Sequence, residues 1–509
     1  MKSTPLSLIA GAVALAAVTG FAALNAPGDT APAKSASASR LPVERSSLLC
    51  PAPSDSELAE TTYTSFTPAG KGASGESAAE LKTTLPVADD GSTDGKPKDA
   101  KAAAAAKKKA GKPVLALKEA GKPVTAEADG ADEPALVGTA TGTLAPGWSA
   151  QQTTSVGAGS TRGLLGVSCT APDTEFWFPG VSTAAASQDY IHLTNPDDSA
   201  AVADIQLFGP DGDLKADAGD GIAVPGHAGV AMLLSTLTDE AVDGVTAHVT
   251  TRSGRVGAVI RGAEEDGGSD WLTASADPSP TVVLPGIPAD ATSVQLIAFA
   301  PGEDDADVKV QLVGKTATFA PAGNDTLHIK SGMTASVDLK NVTRKEPGSL
   351  RLTPVEGDRS TPIVAALRVV RGTGSGREIA YIPATRPVGA RASVADNRSK
   401  GSTLSLVAPG ATAQVKVTAS AGSEGGEQAV KSYTVKGGTT LAFTPPVPSG
   451  LKGSYALTVE TESGGPVYAA RTLALPEDGV QMFTVQTLPD DRGTVEVPAA
   501  VQDLTVLDD

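Results

Sequence analysis

The chain has 509 residues and a formal net charge of −17 at pH 7; 40% of its residues are hydrophobic and only 4% are aromatic. This length is typical of three or four domains, whose cores must be built from aliphatic side chains. The acidic charge argues against a nucleic acid partner, because a negative surface repels the phosphate backbone.

The chain begins with an uncharged apolar segment. Lys2 supplies a small positive charge, and 19 uncharged residues follow from Leu6 to Leu24. This run is long for a signal peptide and just long enough to cross a bilayer. Residues 1–26 are therefore predicted to be an export signal, either a cleaved signal peptide or a membrane anchor, and 27–40 a tether. The expected location is extracytoplasmic, either secreted or held at the plasma membrane.

The next two segments differ in composition. Residues 41–68 include the alternating run from Thr62 to Phe66, which predicts an ordered β segment. Residues 69–134 contain only seven Leu, Ile or Val and no aromatic residue. Because such a segment buries too little apolar area to offset chain entropy, it is predicted to be a disordered Ala/Lys-rich insert.

A basic stretch lies within this insert. Residues 96–123 contain nine Lys but only two acids, Asp99 and Glu119. One interpretation is an electrostatic arm that binds anionic wall polymer or lipid head groups. The other interpretation, which we favour, is a solvated linker.

Three consecutive stretches repeat the same pattern of predicted strands. A strand that ends in Pro occurs at Ile191–Pro196, Leu296–Pro301 and Leu404–Pro409. Further landmarks follow in the same order, 103 to 108 residues apart: an alternating strand (Ala203–Leu207, Ala306–Val310, Ala413–Val417), a Gly that opens a strand (Gly244, Gly348, Gly453) and a small-residue strand ending in Arg (Val256–Arg261, Ile363–Arg368, Val467–Arg471). A period of about 105 residues suits one immunoglobulin-sized sandwich per repeat.

The predicted fold is all-β, with three tandem immunoglobulin-like β-sandwich modules after the signal or anchor helix and the disordered insert. The modules are predicted at 135–275, 276–384 and 385–509. Cys169 to Gly180 aligns with Ser275 to Gly286 and marks the start of a module. The start of the third module is not defined by such a motif.

Residues that carry common chemistries do not form a recognisable constellation. The four His have no metal-ligand spacing, so no zinc site is expected: His192, His227, His248 and His328. The acidic loop from Asp211 to Asp220 departs from the EF-hand pattern and is interpreted as turn residues rather than calcium ligands. Trp148, Trp177 and Trp271 are expected in cores rather than on a sugar-binding surface. The sequence predicts no catalytic, cofactor-binding or metal-binding residues.

The only cysteines, Cys50 and Cys169, are predicted to form a disulfide bond. Each follows an apolar strand and has a Pro shortly after it, in Leu49–Pro53 and Ser168–Pro172. Export would place them where disulfides persist. Two separate buried thiols are the alternative.

Several motifs together resemble a domain-of-unknown-function family of exported actinobacterial proteins. They are Arg162-Gly-Leu164, Cys169, Pro172, Trp177-Phe178, Gly180 and Leu193-Thr-Asn-Pro196. The resemblance covers roughly 41–68 and 135–475, and the third module lacks a Trp-Phe-x-Gly counterpart. It implies an N-terminal hydrophobic segment, a Cys pair and repeated β-modules, but no catalytic residues. Family members are often encoded near cell-envelope glycosyltransferases, which implies an envelope role by association.

These observations favour an exported or membrane-anchored cell-envelope protein that is a non-enzymatic binding or scaffold protein. Its expected partner is another envelope protein or a glycan. Two alternatives stay open: an envelope enzyme whose loop-built site leaves no linear motif, and wall-polymer binding through the Lys-rich arm. Loops of different modules that converge on a pocket of polar groups would favour the enzyme.

Overall fold

The computed structural model describes most of the chain, namely residues 39–70, 76–85, 111–131, 133–265, 267–357, 360–477 and 479–497. These residues form strands, turns and four single-turn 3-10 helices, at Gly142–Leu144, Asp217–Gly219, Leu234–Thr236 and Gly374–Gly376. The predicted signal or anchor, 1–26, lies outside the described residues. Among the residues described, no helix has the length and apolarity needed to span a bilayer.

The chain divides into two units. One consists of 1–41 and 495–509, and its described residues belong to a two-stranded sheet of β1 (Ser39–Pro42) and β38 (Thr494–Val497). The other, 42–494, contains four β-sandwiches that follow one another along the chain.

Sandwich 1 comes before the repeat that the sequence reveals. Its strands are β2 (Arg45–Cys50), β3 (Ala59–Phe66), β4 (Ala78–Thr83), β5 (Pro113–Leu117), β6 (Val124–Asp129), β7 (Leu136–Thr141), β8 (Ser149–Val156) and β9 (Gly163–Ser168). Its sheets have the orders β2-β7-β4-β5 and β6-β3-β8-β9.

Sandwich 2 contains the strands β10 (Glu175–Ser182), β11 (Tyr190–Thr194), β12 (Ala201–Gly209), β13 (Gly212–Leu214), β14 (Ile222–Val224), β15 (Gly229–Leu233), β16 (Asp243–Ser253), β17 (Gly257–Glu264) and β18 (Gly268–Leu272). Its sheets have the orders β10-β16-β12-β13 and β15-β11-β17-β18, and β14 also pairs with β12.

Sandwich 3 contains β19 (Val282–Ile287), β20 (Ala291–Phe299), β21 (Ala306–Val313), β22 (Thr318–Phe319), β23 (Thr326–Ile329), β24 (Thr334–Asp338), β25 (Gly348–Pro354), β26 (Val364–Arg371) and β27 (Glu378–Pro383). Its sheets have the orders β19-β25-β21-β22 and β24-β20-β26-β27, and β23 also pairs with β21.

Sandwich 4 contains β28 (Arg391–Asn397), β29 (Ser402–Ala408), β30 (Ala413–Ala419), β31 (Gly425–Glu427), β32 (Ala429–Val435), β33 (Thr439–Phe443), β34 (Ser449–Lys452), β35 (Tyr455–Gly464), β36 (Tyr468–Ala474) and β37 (Phe483–Thr487). Its sheets have the orders β28-β35-β30-β32 and β33-β29-β36-β37, and β31 pairs with β34.

All four sandwiches share one topology. If the eight recurring strands are lettered A to H in chain order, one sheet runs A-F-C-D and the other E-B-G-H. Gly244, Gly348 and Gly453 lie within two residues of the start of strand F in sandwiches 2, 3 and 4. The predicted repeat is therefore confirmed, and the chain contains it four times rather than three.

The prediction of a disordered insert over 69–134 is wrong for 76–85 and 111–131. These residues form β4, β5 and β6, and their leucines are buried in the core of sandwich 1: Leu81, Leu115 and Leu117. The prediction used the low apolar content averaged over the whole segment, and this average does not detect short alternating strands. Residues 86–110, which include most of the basic stretch, lie outside the described residues. Residues 135–168, expected to open the first module, instead complete sandwich 1.

The four sandwiches close into a ring through strand H, which is β9, β18, β27 and β37. β9 contacts β18, β18 contacts β27, β27 contacts β37, and β37 contacts β9. Strand H is an edge strand in each sandwich, and an uncovered edge is prone to pair with other chains. The ring therefore covers four such edges at its centre.

A glycine permits the close approach of two H strands. Gly163 on β9 has a φ of 152°, and a Cβ there would lie 2.4 Å from the backbone oxygen of Ser269 on β18.

Sandwiches 1 and 4 meet through buried side chains. Thr153 Oγ1 of sandwich 1 donates a hydrogen bond of 2.8 Å to Asp396 Oδ2 of sandwich 4. The first and last repeats are thus joined directly.

Candidate functional site

A cleft of about 390 Å³ lies at the junction of sandwiches 2 and 3. Most of the side chains that line it are polar: Ser182, Ser187, Asp189, Asp243, Glu264, Glu265, Gln295, Arg368, Arg377 and Tyr381. Its volume is within the range of small-molecule sites in proteins. Of the polar clefts between sandwiches in the described part of the chain, we take this one as the candidate site.

The repeat topology brings these side chains together from both sandwiches. In sandwich 2, Asp189 directly precedes strand B and Glu264 ends strand G. In sandwich 3, Arg368 on strand G and Tyr381 on strand H are opposite each other in register. Directly opposed residues in an antiparallel pair project from the same face of the sheet. Arg368 and Tyr381 therefore both face sandwich 2.

An ion-pair cluster crosses the junction. Glu264 Oε1 accepts a hydrogen bond of 2.5 Å from Arg368 Nε, and Glu264 Oε2 accepts one of 3.3 Å from Arg377. The Tyr381 hydroxyl lies against Gly262, where a Cβ would be only 2.3 Å from that oxygen. The cleft therefore has a fixed floor made by residues of both sandwiches.

Asp189 is a buried carboxyl group at this site, with 3% of its surface exposed. Its Oδ2 accepts a hydrogen bond of 2.7 Å from the Ser182 N–H. Burial raises the pKa of Asp189 to about 7, and the negative charge of Glu264 adds to the effect, although hydrogen bonds and Arg368 oppose it. Burial also raises the pKa of Tyr381 well above its usual value. Near neutral pH, Asp189 can therefore donate as well as accept a hydrogen bond.

Replacing Asp189 with Asn is expected to stabilise the fold increasingly as the pH rises. Folded Asp189 keeps its proton between pH 3.8 and about 7, where the unfolded chain has lost it. The wild-type protein therefore loses stability as the pH rises through that window, by up to about 1.4 kcal/mol per pH unit. Urea unfolding of both proteins from pH 4 to pH 8 measures the difference. A difference that does not vary with pH would contradict the assignment.

The predicted disulfide is present. Cys50 and Cys169 are joined by a disulfide bond with a Cα–Cα distance of 4.5 Å. Backbone hydrogen bonds between Leu49 and Thr170 flank it, at 2.8 and 3.0 Å. It links strand A of sandwich 1 to the residue after strand H, so the first and last strands of that sandwich are tied together.

The four histidines lie in separate places. His192 is buried and makes a T-shaped contact with Trp271, and burial together with the charge of Arg261 lowers its pKa to about 3. His248 stacks on Trp177, with the ring centroids 3.5 Å apart. His227 contacts Asp198, and His328 contacts Asp307.

The expected burial of the tryptophans is confirmed. Trp148, Trp177 and Trp271 are 5%, 7% and 2% exposed. In the described ranges, no three His, Cys, Asp or Glu side chains form a group that could hold a metal ion. Trp177 packs with Phe299 of sandwich 3, so this part of the resemblance motif is a junction contact.

Sequence reasoning did not identify the residues of the cleft. In the sequence, Arg368 stands out only as the end of a repeated strand, and Asp189, Glu264 and Tyr381 belong to no linear motif. One sequence signal for the cleft is Asp189, which directly precedes the buried strand B of sandwich 2. A charged residue next to a buried strand needs a polar partner.

Comparison with known families agrees with the predicted resemblance in its coarse form. The family of unknown function DUF5719 matches residues 124–446. The match begins at β6 in sandwich 1, covers sandwiches 2 and 3, and ends within sandwich 4. No curated protein matches the chain. Since the match covers more than half of its length, the chain belongs to the family of unknown function DUF5719.

Proposed function

We propose that this chain is an exported, non-enzymatic scaffold of the cell envelope, which positions another envelope protein or a glycan. The observation that supports the proposal most is the closed ring of four sandwiches. A ring in which every module touches two others holds its surfaces and junctions in fixed relative positions. Preorganised surfaces bind with a smaller loss of conformational entropy.

Two further features support an extracytoplasmic location. The apolar run from Leu6 to Leu24 has the length and position of an export signal or a membrane anchor. The disulfide between Cys50 and Cys169 is of a kind that persists mainly in oxidising compartments.

Photo-crosslinking on intact cells tests the scaffold proposal. A photoreactive residue at exposed positions in different sandwiches, such as Leu58, Phe319 and Val430, would report the neighbours of the ring. We expect the same one or two envelope components from more than one position, and protection of both cysteines from alkylation. Recovery in the cytoplasm with reduced cysteines would contradict the proposal.

One observation favours the alternative of an envelope enzyme. Burial raises the pKa of Asp189 to about 7, so this carboxyl is partly protonated near neutral pH, while Glu264 in the same cleft is ion-paired with Arg368. Carboxyl groups in such different environments are typical of acid–base pairs in hydrolases. The enzyme alternative expects product formation from oligosaccharides that Asp189→Asn abolishes. Equal background rates with both proteins would exclude this pair as its catalytic residues.

The wall-polymer alternative is tested by a deletion that leaves sandwich 1 intact. A deletion of 96–123 would remove β5, whose leucines are buried in sandwich 1. Deleting only 88–109 avoids this, because Gly111 donates a backbone hydrogen bond to Thr83 and so closes the pair of β4 and β5 beyond the deletion. If the basic stretch binds wall polymer, this variant will fold but lose salt-sensitive binding to purified wall; unchanged binding would reject that alternative.

A further inference from the structure

We propose that the cleft between sandwiches 2 and 3 binds a neutral oligosaccharide. This inference deepens the proposed function, since it names the ligand class of one site on the ring. The cleft has a volume of about 390 Å³ and is lined from both sandwiches by the side chains described above.

The charges around the cleft argue against anionic and lipid ligands. Four carboxyl groups, of Asp189, Asp243, Glu264 and Glu265, accompany the two guanidinium groups of Arg368 and Arg377. Because Glu264 pairs with both arginines, the site offers no excess of positive charge to a phosphate or sulfate group. Among the described residues of the lining, Ile297 is the only large aliphatic side chain, so a lipid tail has little apolar surface to contact.

Hydrogen-bonding groups of both kinds converge on the cleft. The Gln295 amide, the Ser187 hydroxyl and the Tyr381 hydroxyl can each donate and accept. One Gln295 N–H already donates to Ser336 Oγ at 2.8 Å, but the amide keeps a second N–H and a carbonyl oxygen. The Ser182 hydroxyl is already engaged, since it donates to Asp243 Oδ1 and accepts from the Ala184 N–H. Sugar hydroxyls also donate and accept at once, so vicinal diols match such a lining. The buried Asp189 carboxyl, whose pKa of about 7 leaves it partly protonated near neutral pH, adds a further group of this type.

Three glycines in the lining allow the cleft wall to pack tightly. A Cβ at Gly267 would lie 2.5 Å from Glu264 Oε2, and a Cβ at Gly180 would lie 3.3 Å from Ile297. Gly180 also has a φ of 102°, a backbone conformation that disfavours other residues. The glycines therefore hold side chains of the lining in place.

The test uses the full chain and a panel of di-, tri- and tetrasaccharides of glucose, galactose, mannose, arabinose and N-acetylglucosamine. Saturation-transfer NMR identifies binders, and isothermal titration calorimetry gives their dissociation constants. We expect at least one neutral member to bind. Tyr381→Phe, which removes a single hydroxyl, is expected to weaken binding at least threefold, and Gln295→Ala at least fivefold.

Two matched variants serve as controls. Tyr433→Phe removes a hydroxyl from sandwich 4, and Gln414→Ala removes an amide there; neither residue lines the cleft. Both are expected to bind as the wild type does. The inference is overturned if no oligosaccharide binds, or if binding is unaffected by both cleft variants. Either result leaves the partner recovered by crosslinking unchanged, so the scaffold proposal is judged separately.

Discussion

Replacing Cys50 and Cys169 with Ser together is expected to lower the free energy of unfolding by up to about 5 kcal/mol. The disulfide closes a loop between residues 119 positions apart, and this loop contains strands B to H of sandwich 1. Its loss restores conformational freedom to a long segment of the unfolded chain. Urea denaturation of the double variant and the wild type measures the effect.

Reduction provides the matched control for this prediction. A reducing agent should destabilise the wild type to the level of the double variant and leave the variant unchanged. Equal stability of the oxidised wild type and the variant would contradict the structural role of the bond. The single variants are avoided, because each leaves a free thiol that can exchange.

Replacing Trp271 with Ala is expected to cost about 3–5 kcal/mol of folding free energy. Trp271 is on strand H of sandwich 2 and packs against Ala59, Val156, Leu165 and Val167 of sandwich 1. The substitution leaves a cavity at a junction of the ring, where the backbones of two sandwiches limit collapse. Thermal and urea unfolding of the purified variant measure the loss.

A substitution on the surface of the same ring is the control. Leu58 is 61% exposed, and Leu58→Ala is expected to change stability by less than about 0.5 kcal/mol. If Trp271→Ala were as mild as Leu58→Ala, the two sandwiches would not be packed together as described.

The sequence predicted the repeats that have regular spacing. Pro196, Pro301 and Pro409 each follow strand B by one or two residues, because a Pro cannot donate to the ladder and so marks its end. Sandwich 1 carries the same signal, with Tyr63 five residues before Pro68. Pro68 lies 128 residues before Pro196, however, because residues 84–112 separate strands C and D. Because of this irregular spacing, the sequence does not reveal sandwich 1 as a fourth copy of the repeat.

The predicted equivalence of Arg368 and Arg471 is wrong by one residue. Strand B pairs Ile191 with Ile260, Leu296 with Leu367, and Leu404 with Arg471. Arg471 therefore corresponds to Leu367 rather than to Arg368. A shift of one residue moves a side chain to the other face of the sheet. Arg471 is consequently buried within sandwich 4, whereas Arg368 faces the junction with sandwich 2.

The cleft could not be predicted from the sequence, because its residues come from two sandwiches and meet only when the ring closes. Asp189 and Tyr381 are separated by most of two repeats. Each looks ordinary in its own strand or loop, and only the packing of strand H against the neighbouring sandwich gives the two residues a shared environment.

A double-mutant cycle between Thr153 and Asp396 tests the closed ring most directly. Their hydrogen bond joins sandwich 1 to sandwich 4 across 243 residues of sequence. Urea unfolding of the wild type, Thr153→Val, Asp396→Ala and the double variant gives the coupling energy. Asp396→Ala also removes the ion-pair partner of Arg398, but this loss occurs in both variants that carry the substitution and so cancels within the cycle. The closed ring predicts a coupling of about 1–3 kcal/mol. A coupling of zero within error would contradict it.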